Sequence, residues 1–223
     1  MAFKRWILLG LTAVIFTGCS TDTEKQENKN ETQQNEPKQE TPSKNEDELS
    51  FNDSSQASDD TELTEINKTV EDQDGTVTLK KYAKPYEEQK SDLISLTIAE
   101  VKVLDYAPSV DLIDFFHGYT EKDKFPYVRV NVRIKNNGKE NAHFNPVSEI
   151  KTDQGETVTW EDDFYLEKLN GEIKPGEEKV GSLGFILDET DPEKLKNLTI
   201  TSSEVINDKK KKIADPLTFK VDF

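Results

Sequence analysis

Two short segments place aromatic side chains beside ionisable ones, a combination that could bind a ligand. The candidate ligand-binding residues are Trp160, Asp162, Asp163 and Phe164 in one segment and Phe116 and His117 in the other. Aromatic faces stack on sugar rings and peptides, and carboxylates bind hydroxyl groups or Ca²⁺. A second interpretation stays open for both segments: the aromatic residues fill the core or plug one end of it, and the acids form a solvated turn.

Groups for covalent or metal chemistry are scarce in this chain. It has one cysteine and two histidines, His117 and His143, and none of them lies in a recognisable nucleophile motif. A zinc site would need carboxylates gathered from distant strands, so we expect no metal site, no cofactor and no enzymatic activity. The alternative is a metal- or small-ligand-binding accessory protein that serves a membrane transporter. Its candidate groups are Trp160, Asp162, Asp163, His117 and His143.

The N-terminus has the layout of a secretory signal. Lys4 and Arg5 precede an apolar run over residues 6–16, which is too short to span a bilayer. The sequence Phe16-Thr17-Gly18-Cys19 then resembles the lipobox of bacterial lipoproteins, although Phe16 stands where that box usually has Leu. In such proteins a diacylglyceryl group is attached to the cysteine sulfur and the signal is cut before it. We therefore expect residues 1–18 to be a lipoprotein signal peptide and Cys19 to carry the membrane anchor.

Most of the negative charge lies in one segment. The formal net charge is -16, and residues 20–74 hold 17 Asp and Glu against 5 Lys. This charge argues against a nucleic-acid partner, because phosphates would be repelled. Low apolar content predicts that residues 19–74 form a disordered acidic linker. The alternative is a short helix or docking segment formed by the apolar residues Leu49, Phe51, Leu63, Ile66 and Val70.

Beyond residue 74 the pattern is that of strands. Apolar and polar residues alternate, and turn residues recur about every 8–12 positions, which predicts an all-β domain over residues 75–223. The strongest strand covers residues 127–135, and its strict alternation predicts one face in the core and the other in water. Asn136-Asn137-Gly138 follows at once and predicts a tight hairpin turn.

Two irregularities interrupt this pattern. The apolar phase slips between Ile98 and Val101, which predicts a β-bulge. Residues 109–119 have the spacing of a short helix, which Asp111 could cap, inserted between two strands. In all, we expect a β-sandwich of seven or eight strands.

Three stretches, in their order and spacing, resemble the DUF4352 family. They are residues 127–138, residues 149–157, and Ile173-Lys174-Pro175-Gly176-Glu177 leading to Gly181-Ser182-Leu183-Gly184-Phe185. The resemblance covers residues 92–223. It implies an immunoglobulin-like β-sandwich related to the secreted mycobacterial antigen MPT63, of the kind found on Gram-positive lipoproteins behind a low-complexity linker. It implies no catalytic residues.

Together these observations predict a non-enzymatic module held at the outer face of the cell membrane of a Gram-positive bacterium. Its expected partners are the membrane, through the lipid on Cys19, and an unidentified protein or envelope ligand. Fold alone does not choose among ligands, because such sandwiches host many unrelated functions.

The membrane anchor is tested by replacing its cysteine. Cys19→Ala removes the thiol that would carry the lipid, so the protein should leave the membrane fraction for the medium or remain unprocessed. Cell fractionation and the mass of the mature N-terminus measure this. Anchoring and processing that do not change in Cys19→Ala would contradict the prediction.

Overall fold

A computed structural model of the chain describes Leu49, Phe51, Ser54 and residues 56–223. The predicted signal peptide and Cys19 lie outside these described residues, as does most of the predicted linker. The strands are β1 (Thr69–Asp72), β2 (Gly75–Ala83), β3 (Glu87–Lys90), β4 (Ile94–Pro108), β5 (Phe125–Asn136), β6 (Ala142–Phe144), β7 (Glu149–Thr152), β8 (Thr157–Thr159), β9 (Gly171–Ile173), β10 (Glu178–Ile186), β11 (Asn197–Thr201), β12 (Val205–Ile206), β13 (Lys212–Ala214) and β14 (Thr218–Asp222). Among these residues, the helix α1 spans Val110–Phe116, and a 3₁₀ turn spans Trp160–Asp162. Within this part of the chain, no helix has the length and apolarity needed to cross a bilayer.

The strands form three antiparallel sheets. The largest has the order β1-β2-β4-β5-β10, with β3 also paired to β4. The two smaller sheets have the orders β14-β11-β7-β8 and β13-β12-β6-β9. The prediction of an all-β sandwich is confirmed, but the seven or eight expected strands are divided into shorter ones. Residues 197–206, for example, contain two strands, because β11 pairs in one small sheet and β12 in the other.

An aliphatic core joins the large sheet to the smaller ones. Val130 and Val132 of β5 and Leu183 of β10 are fully buried in one cluster with Ile150 of β7 and Ile200 of β11. Burial of each such side chain stabilises the fold by roughly 1.5–3 kcal/mol. The predicted core face of β5 is confirmed by this packing.

The ordered domain begins before residue 75. β1 pairs along its whole length with β2, and Ala57 and Leu63 pack in an apolar cluster with Tyr106 and Phe116. The prediction of a disordered linker is therefore wrong for residues 56–74, and the docking alternative is correct for Leu63. The low apolar content of this stretch led to the wrong prediction because a charged side chain, not an apolar one, makes its main buried contact.

That charge is the carboxylate of Asp60, in a segment (residues 56–63) that we call the strap. Asp60 pairs with the guanidinium of Arg129 on β5, and its second oxygen lies 3.5 Å from Nζ of Lys102 on β4. Lys102 also donates hydrogen bonds to the main-chain oxygens of Asp60 and Thr61. The three charged side chains are at most 2% exposed, so they form a buried ion-pair cluster.

The strap changes the environment of the face of β5 that was predicted to be wet. Arg129 and Asn131 on that face are buried, although Lys135 further along the strand is exposed. Ser182 of β10 completes the dry part, because its hydroxyl donates to Asn131 Oδ1 (2.8 Å) and accepts from Arg129. The prediction of a solvated face is thus wrong for half of the strand, since a distant segment covers it.

The predicted hairpin after β5 does not form. β5 pairs with β4 and β10, and the chain after Asn136 crosses to another sheet instead of returning beside β5. The side chain of Asn136 holds this crossing, donating to the carbonyl oxygens of Ile173 (2.8 Å) and Glu140 (2.9 Å). Gly138 is favoured by a close approach and not by a positive φ, because a Cβ there would displace the end of the Leu93 side chain.

Two other local predictions can be checked. The β-bulge is confirmed, since the register of β4 on β5 shifts between Ile98 and Glu100. The helix is confirmed as α1, but its N-cap residue is Ser109 and not Asp111. Asp111 lies in the first turn, where a negative charge interacts favourably with the helix dipole.

The ion-pair cluster predicts a large loss of stability when Asp60 is neutralised. Asp60→Asn removes the carboxylate that pairs with both Arg129 and Lys102 in this buried cluster, although Glu100 stays 3.5 Å from Nζ of Lys102, and it should lower the free energy of unfolding by about 3 kcal/mol. Urea unfolding of the full chain, followed by circular dichroism, measures the loss. Asp59→Asn is the matched control, because Asp59 is exposed and should cost less than about 1 kcal/mol. Equal losses in the two variants would contradict the role of the cluster.

Candidate functional site

The structure separates the residues that were predicted to form one binding site. Trp160 is 42% exposed, and Asp162 accepts a hydrogen bond from the main-chain N–H of Thr159 (2.9 Å), so it closes the 3₁₀ turn. His117 is 47% exposed at the end of α1, with Nε2 3.7 Å from a carboxylate oxygen of Asp123. These three exposed side chains belong to different local structures and do not converge on one cavity in the described part of the chain.

Phe116 and Phe164 are fully buried. Their rings contact each other edge to face, with centroids 5.2 Å apart, in a cluster that also holds Tyr106 and Tyr127. The alternative in which these aromatic residues plug the core is therefore the correct one, and neither ring is accessible to a ligand. The sequence could not decide this, because the residues that cover the rings come from β4, β5 and the strap.

Asp163 is also buried, where it protects an edge strand. Its Oδ1 accepts hydrogen bonds from the main-chain N–H groups of Gly184 on β10 (2.9 Å) and of Tyr165 (3.1 Å). Glu167 accepts another from Ser182 N–H (3.1 Å). Two carboxylates thus occupy donors that the edge of β10 would otherwise present to another chain. Gly184 is needed here, because a Cβ would collide with the ring of Tyr165.

Burial sets the protonation of these two carboxyls. It raises the pKa of Asp163 to about 6, although the N–H groups of Gly184 and Tyr165 act in the opposite direction. Burial likewise raises the pKa of Glu167, against the opposing effect of its hydrogen bond from Ser182.

The loop also holds Leu166 and Lys168 at positive φ, an arrangement that costs of order 1 kcal/mol for each residue.

The other half of the same sheet face is open and forms a groove. In register, one rung of the sheet contains Lys90, Ser95, Lys135 and Glu178, and the next contains Glu88, Thr97, Arg133 and Val180. The groove encloses about 190 Å³ and is lined by Glu88, Lys90, Ser95, Arg133, Lys135, Asn137 and Glu178. We call this the outer-face groove. It continues the polar column of β5 beyond the part that the strap covers.

The outer-face groove contains more cationic side chains than acidic ones. Lys90 lies 3.0 Å from Glu88, and Lys135 lies 3.9 Å from Glu178, so two of its cations have acidic partners. Arg133 is half-buried, and its guanidinium forms no hydrogen bond or ion pair with any described residue. Arg133 therefore gives the groove an excess positive charge on a protein whose net charge is -16.

Thr97 provides a second unmatched group. It is 1% exposed, and its hydroxyl has no hydrogen-bond partner among the described residues. In register it lies between Glu88 and Arg133, both of which line the groove. A buried hydroxyl without a partner is uncommon. Thr97 is not among the residues that line the groove, so a ligand oxygen or a water molecule reaches this hydroxyl only when neighbouring side chains move. Guanidinium and hydroxyl donors together suit a carboxylate or a phosphate group.

Sequence reasoning missed this groove. Arg133 was one of several polar residues on an alternating strand, and nothing in its neighbours along the chain distinguished it from a solvated residue. Its distinction comes from β3 and β10, which supply partners for the neighbouring lysines and none for Arg133. The histidine His143, by contrast, lies on another sheet, with Nε2 3.0 Å from Oδ1 of Asp208.

The fold is that of an all-β sandwich protein with a polar groove on one sheet. The chain belongs to the DUF4352 family: residues 64–212 match the family described as "Domain of unknown function (DUF4352)". The match begins earlier than the resemblance over residues 92–223, and it includes β1, β2 and β3. This agrees with the pairing of these three strands in the large sheet.

Individual relatives are similar over most of the chain. "Uncharacterized protein YdhF" of Bacillus subtilis (strain 168) is 33% identical over 235 residues, which cover 99% of this chain and 100% of that protein. A functionally unknown protein from Listeria monocytogenes EGD-e has a similar fold, with a TM-score of 0.52 and 16% identity over 66% of this chain and 88% of that one. A conserved hypothetical protein from Bacillus anthracis gives a TM-score of 0.35 and 12% identity over 60% and 95% of the two chains.

The buried carboxyl of Asp163 predicts a pH-dependent stability. Its pKa rises from 3.8 to about 6 on folding, so the folded state binds more protons than the unfolded state between these values. The protonated carboxyl of Asp163 therefore adds about 3 kcal/mol to the free energy of unfolding. This stabilisation is fully present below about pH 4 and is lost as the pH rises through 6. Asp163→Asn should remove this part of the dependence.

Unfolding free energies of the full chain at several pH values between about 4 and 7 test this prediction. Glu161→Gln is the control, because Glu161 is exposed two positions away and should leave the profile unchanged. A profile for Asp163→Asn that parallels the unmodified protein would show that Asp163 is not the titrating group.

Proposed function

We propose that this protein is a non-enzymatic, lipid-anchored binding module of the cell surface. In this proposal Cys19 holds the chain at the outer face of the membrane, and the outer-face groove binds an acidic group of a protein or an envelope polymer. The single observation that supports the groove as the binding site is the half-buried Arg133, which has no partner in the described structure. Charge-assisted hydrogen bonds from a guanidinium contribute about twice as much as neutral ones.

The neighbouring groups favour a ligand with a single acidic group over a polyanion. Glu88 and Glu178 line the groove beside Arg133, so a second negative charge on the ligand would meet a carboxylate. The side chains of Lys90 and Lys135 are exposed and can turn towards the ligand. Val180, at the end of the same rung as Arg133, is 36% exposed and offers an apolar contact next to the acid.

Neutralising Arg133 should abolish recognition of the acidic group. NMR titration of the full chain in mild detergent, with acetate and with inorganic phosphate as probes, measures binding at the groove. Arg133→Gln should weaken the binding of either probe about tenfold, because it removes a charge-assisted hydrogen bond. Lys220→Gln is the matched control, since it removes one positive charge from an exposed position on β14 and should leave the affinity unchanged.

Thr97→Val gives a second and more selective variant. Valine has the shape of threonine without its hydroxyl, so it should leave the fold as stable as before or up to about 1 kcal/mol more stable. The same change should weaken probe binding by about two- to tenfold. Equal affinities in the unmodified protein, Arg133→Gln and Thr97→Val would exclude the groove as the binding site.

The natural ligand can then be sought with the same variants. The full chain is used to capture material from the organism's surface and wall extract, and mass spectrometry identifies what is bound. A ligand of the groove should be retained by Lys220→Gln and lost with Arg133→Gln. A species captured equally by both variants binds elsewhere on the protein.

A further inference from the structure

We propose that His143, Glu172 and Asp208 form a binding site for a divalent transition-metal ion such as zinc. One ligand atom from each of these three side chains lies within 4.8 Å of the other two. The three residues come from β6, from β9 and from the turn after β12, so the site exists only in the folded protein. It goes beyond the proposed function and involves a different sheet from the outer-face groove.

The sheet register brings the ligands together. His143 is directly opposite Glu172 in the pairing of β6 with β9, and it is opposite Ile206 in the pairing of β6 with β12. Side chains directly opposite each other project from the same face about 5 Å apart. The chain turns back two residues after Ile206, which places Asp208 on the other side of the imidazole from Glu172.

The surroundings of His143 fix the direction of its ring. Its neighbours Ala142 and Phe144 are buried, so the strand turns His143 towards the surface. Nε2 lies 3.0 Å from Oδ1 of Asp208, and Asn141 donates to Oδ2 of the same carboxylate (3.3 Å). The Asn141 amide therefore holds one oxygen of Asp208 and leaves the other facing the imidazole. Such outer contacts orient the ligands of metal sites.

Glu172 is free to act as a ligand. Its carboxylate forms no hydrogen bond or ion pair with any residue that the structure describes. Lys179 approaches the same residue but donates to its main-chain oxygen (2.9 Å), which holds the backbone and leaves the carboxylate available. An unpaired carboxylate 4.8 Å or less from an imidazole nitrogen and a second carboxylate is well placed to share a cation with them.

The donor set selects the class of ion. One imidazole nitrogen and two carboxylate oxygens are ligands that zinc accepts, with a water molecule in the fourth position. Calcium and magnesium prefer oxygen ligands alone, which makes them weaker candidates. Zinc-bound ligand atoms lie about 2 Å from the metal, so the exposed Glu172 and Asp208 side chains need only turn inwards to complete the site. The neighbouring lysines, Lys209 to Lys211, are exposed and can point away.

Zinc titration of the full chain in mild detergent tests the proposal. Calorimetry should show one zinc ion bound to each chain, and His143→Ala should weaken this binding at least about tenfold. His117→Ala is the matched control, because His117 also lies near a carboxylate, that of Asp123, and has no third ligand in the described structure. This control should retain the affinity of the unmodified protein. Arg133→Gln should retain it too, which separates this test from that of the groove.

Additional variants keep the test decisive if His143→Ala folds poorly. Glu172→Gln and Asp208→Asn replace exposed side chains with others of the same size, and each should weaken zinc binding while leaving the circular dichroism spectrum unchanged. Zinc should also raise the melting temperature of the unmodified protein and not that of these variants. No zinc binding by the unmodified protein would overturn the proposal. So would binding that survives all three substitutions, or that His117→Ala abolishes.

Discussion

The burial of Asp60 between Arg129 and Lys102 is the contact on which much of this structure depends. It places a carboxylate from the N-terminal strap on a polar sheet face that would otherwise be solvated. Within the sheet Lys102 has a second carboxylate partner, Glu100 at 3.5 Å, but Asp60 is the one that pairs with both buried cations, so the buried state of this face depends on the strap. Among the described residues, the ordered domain therefore already includes the strap, ahead of β1.

At the edge of the large sheet, carboxylates likewise take the place that main-chain partners would have in a neighbouring strand. Asp163 and Glu167 accept hydrogen bonds from β10, which stops that strand from pairing with another chain. This protection has an electrostatic consequence, because burial raises the pKa of both groups. The loop at this edge of the large sheet therefore contains two carboxyl groups whose pKa values are raised by burial.

What remains open of the polar column on β5 is the outer-face groove. The covered half contains Arg129, which has an acidic partner, and the open half contains Arg133, which has none in the described structure. This contrast on one strand is the reason for proposing a ligand at the groove. One arginine forms an ion pair within the protein, and the other can form one with a ligand. The metal site proposed at His143 lies on a separate sheet, so the two proposed sites are independent of each other.

Local patterns in the sequence determined the all-β class, the core face of β5, the bulge at Ile98 and the helix α1, because each depends on residues that are neighbours along the chain. Only the tertiary structure decided which polar residues are buried, since the cover comes from far away: Asp60 reaches Arg129 across 69 positions. The Asn136-Asn137-Gly138 turn misled for a similar reason, because competition from β10 for the edge of β5 outweighs a local turn preference. The candidate sites show the same limit. Aromatic and acidic residues adjacent in sequence were separated between core and surface, while His143, Glu172 and Asp208 were brought together by strand register, which no single segment of the sequence encodes.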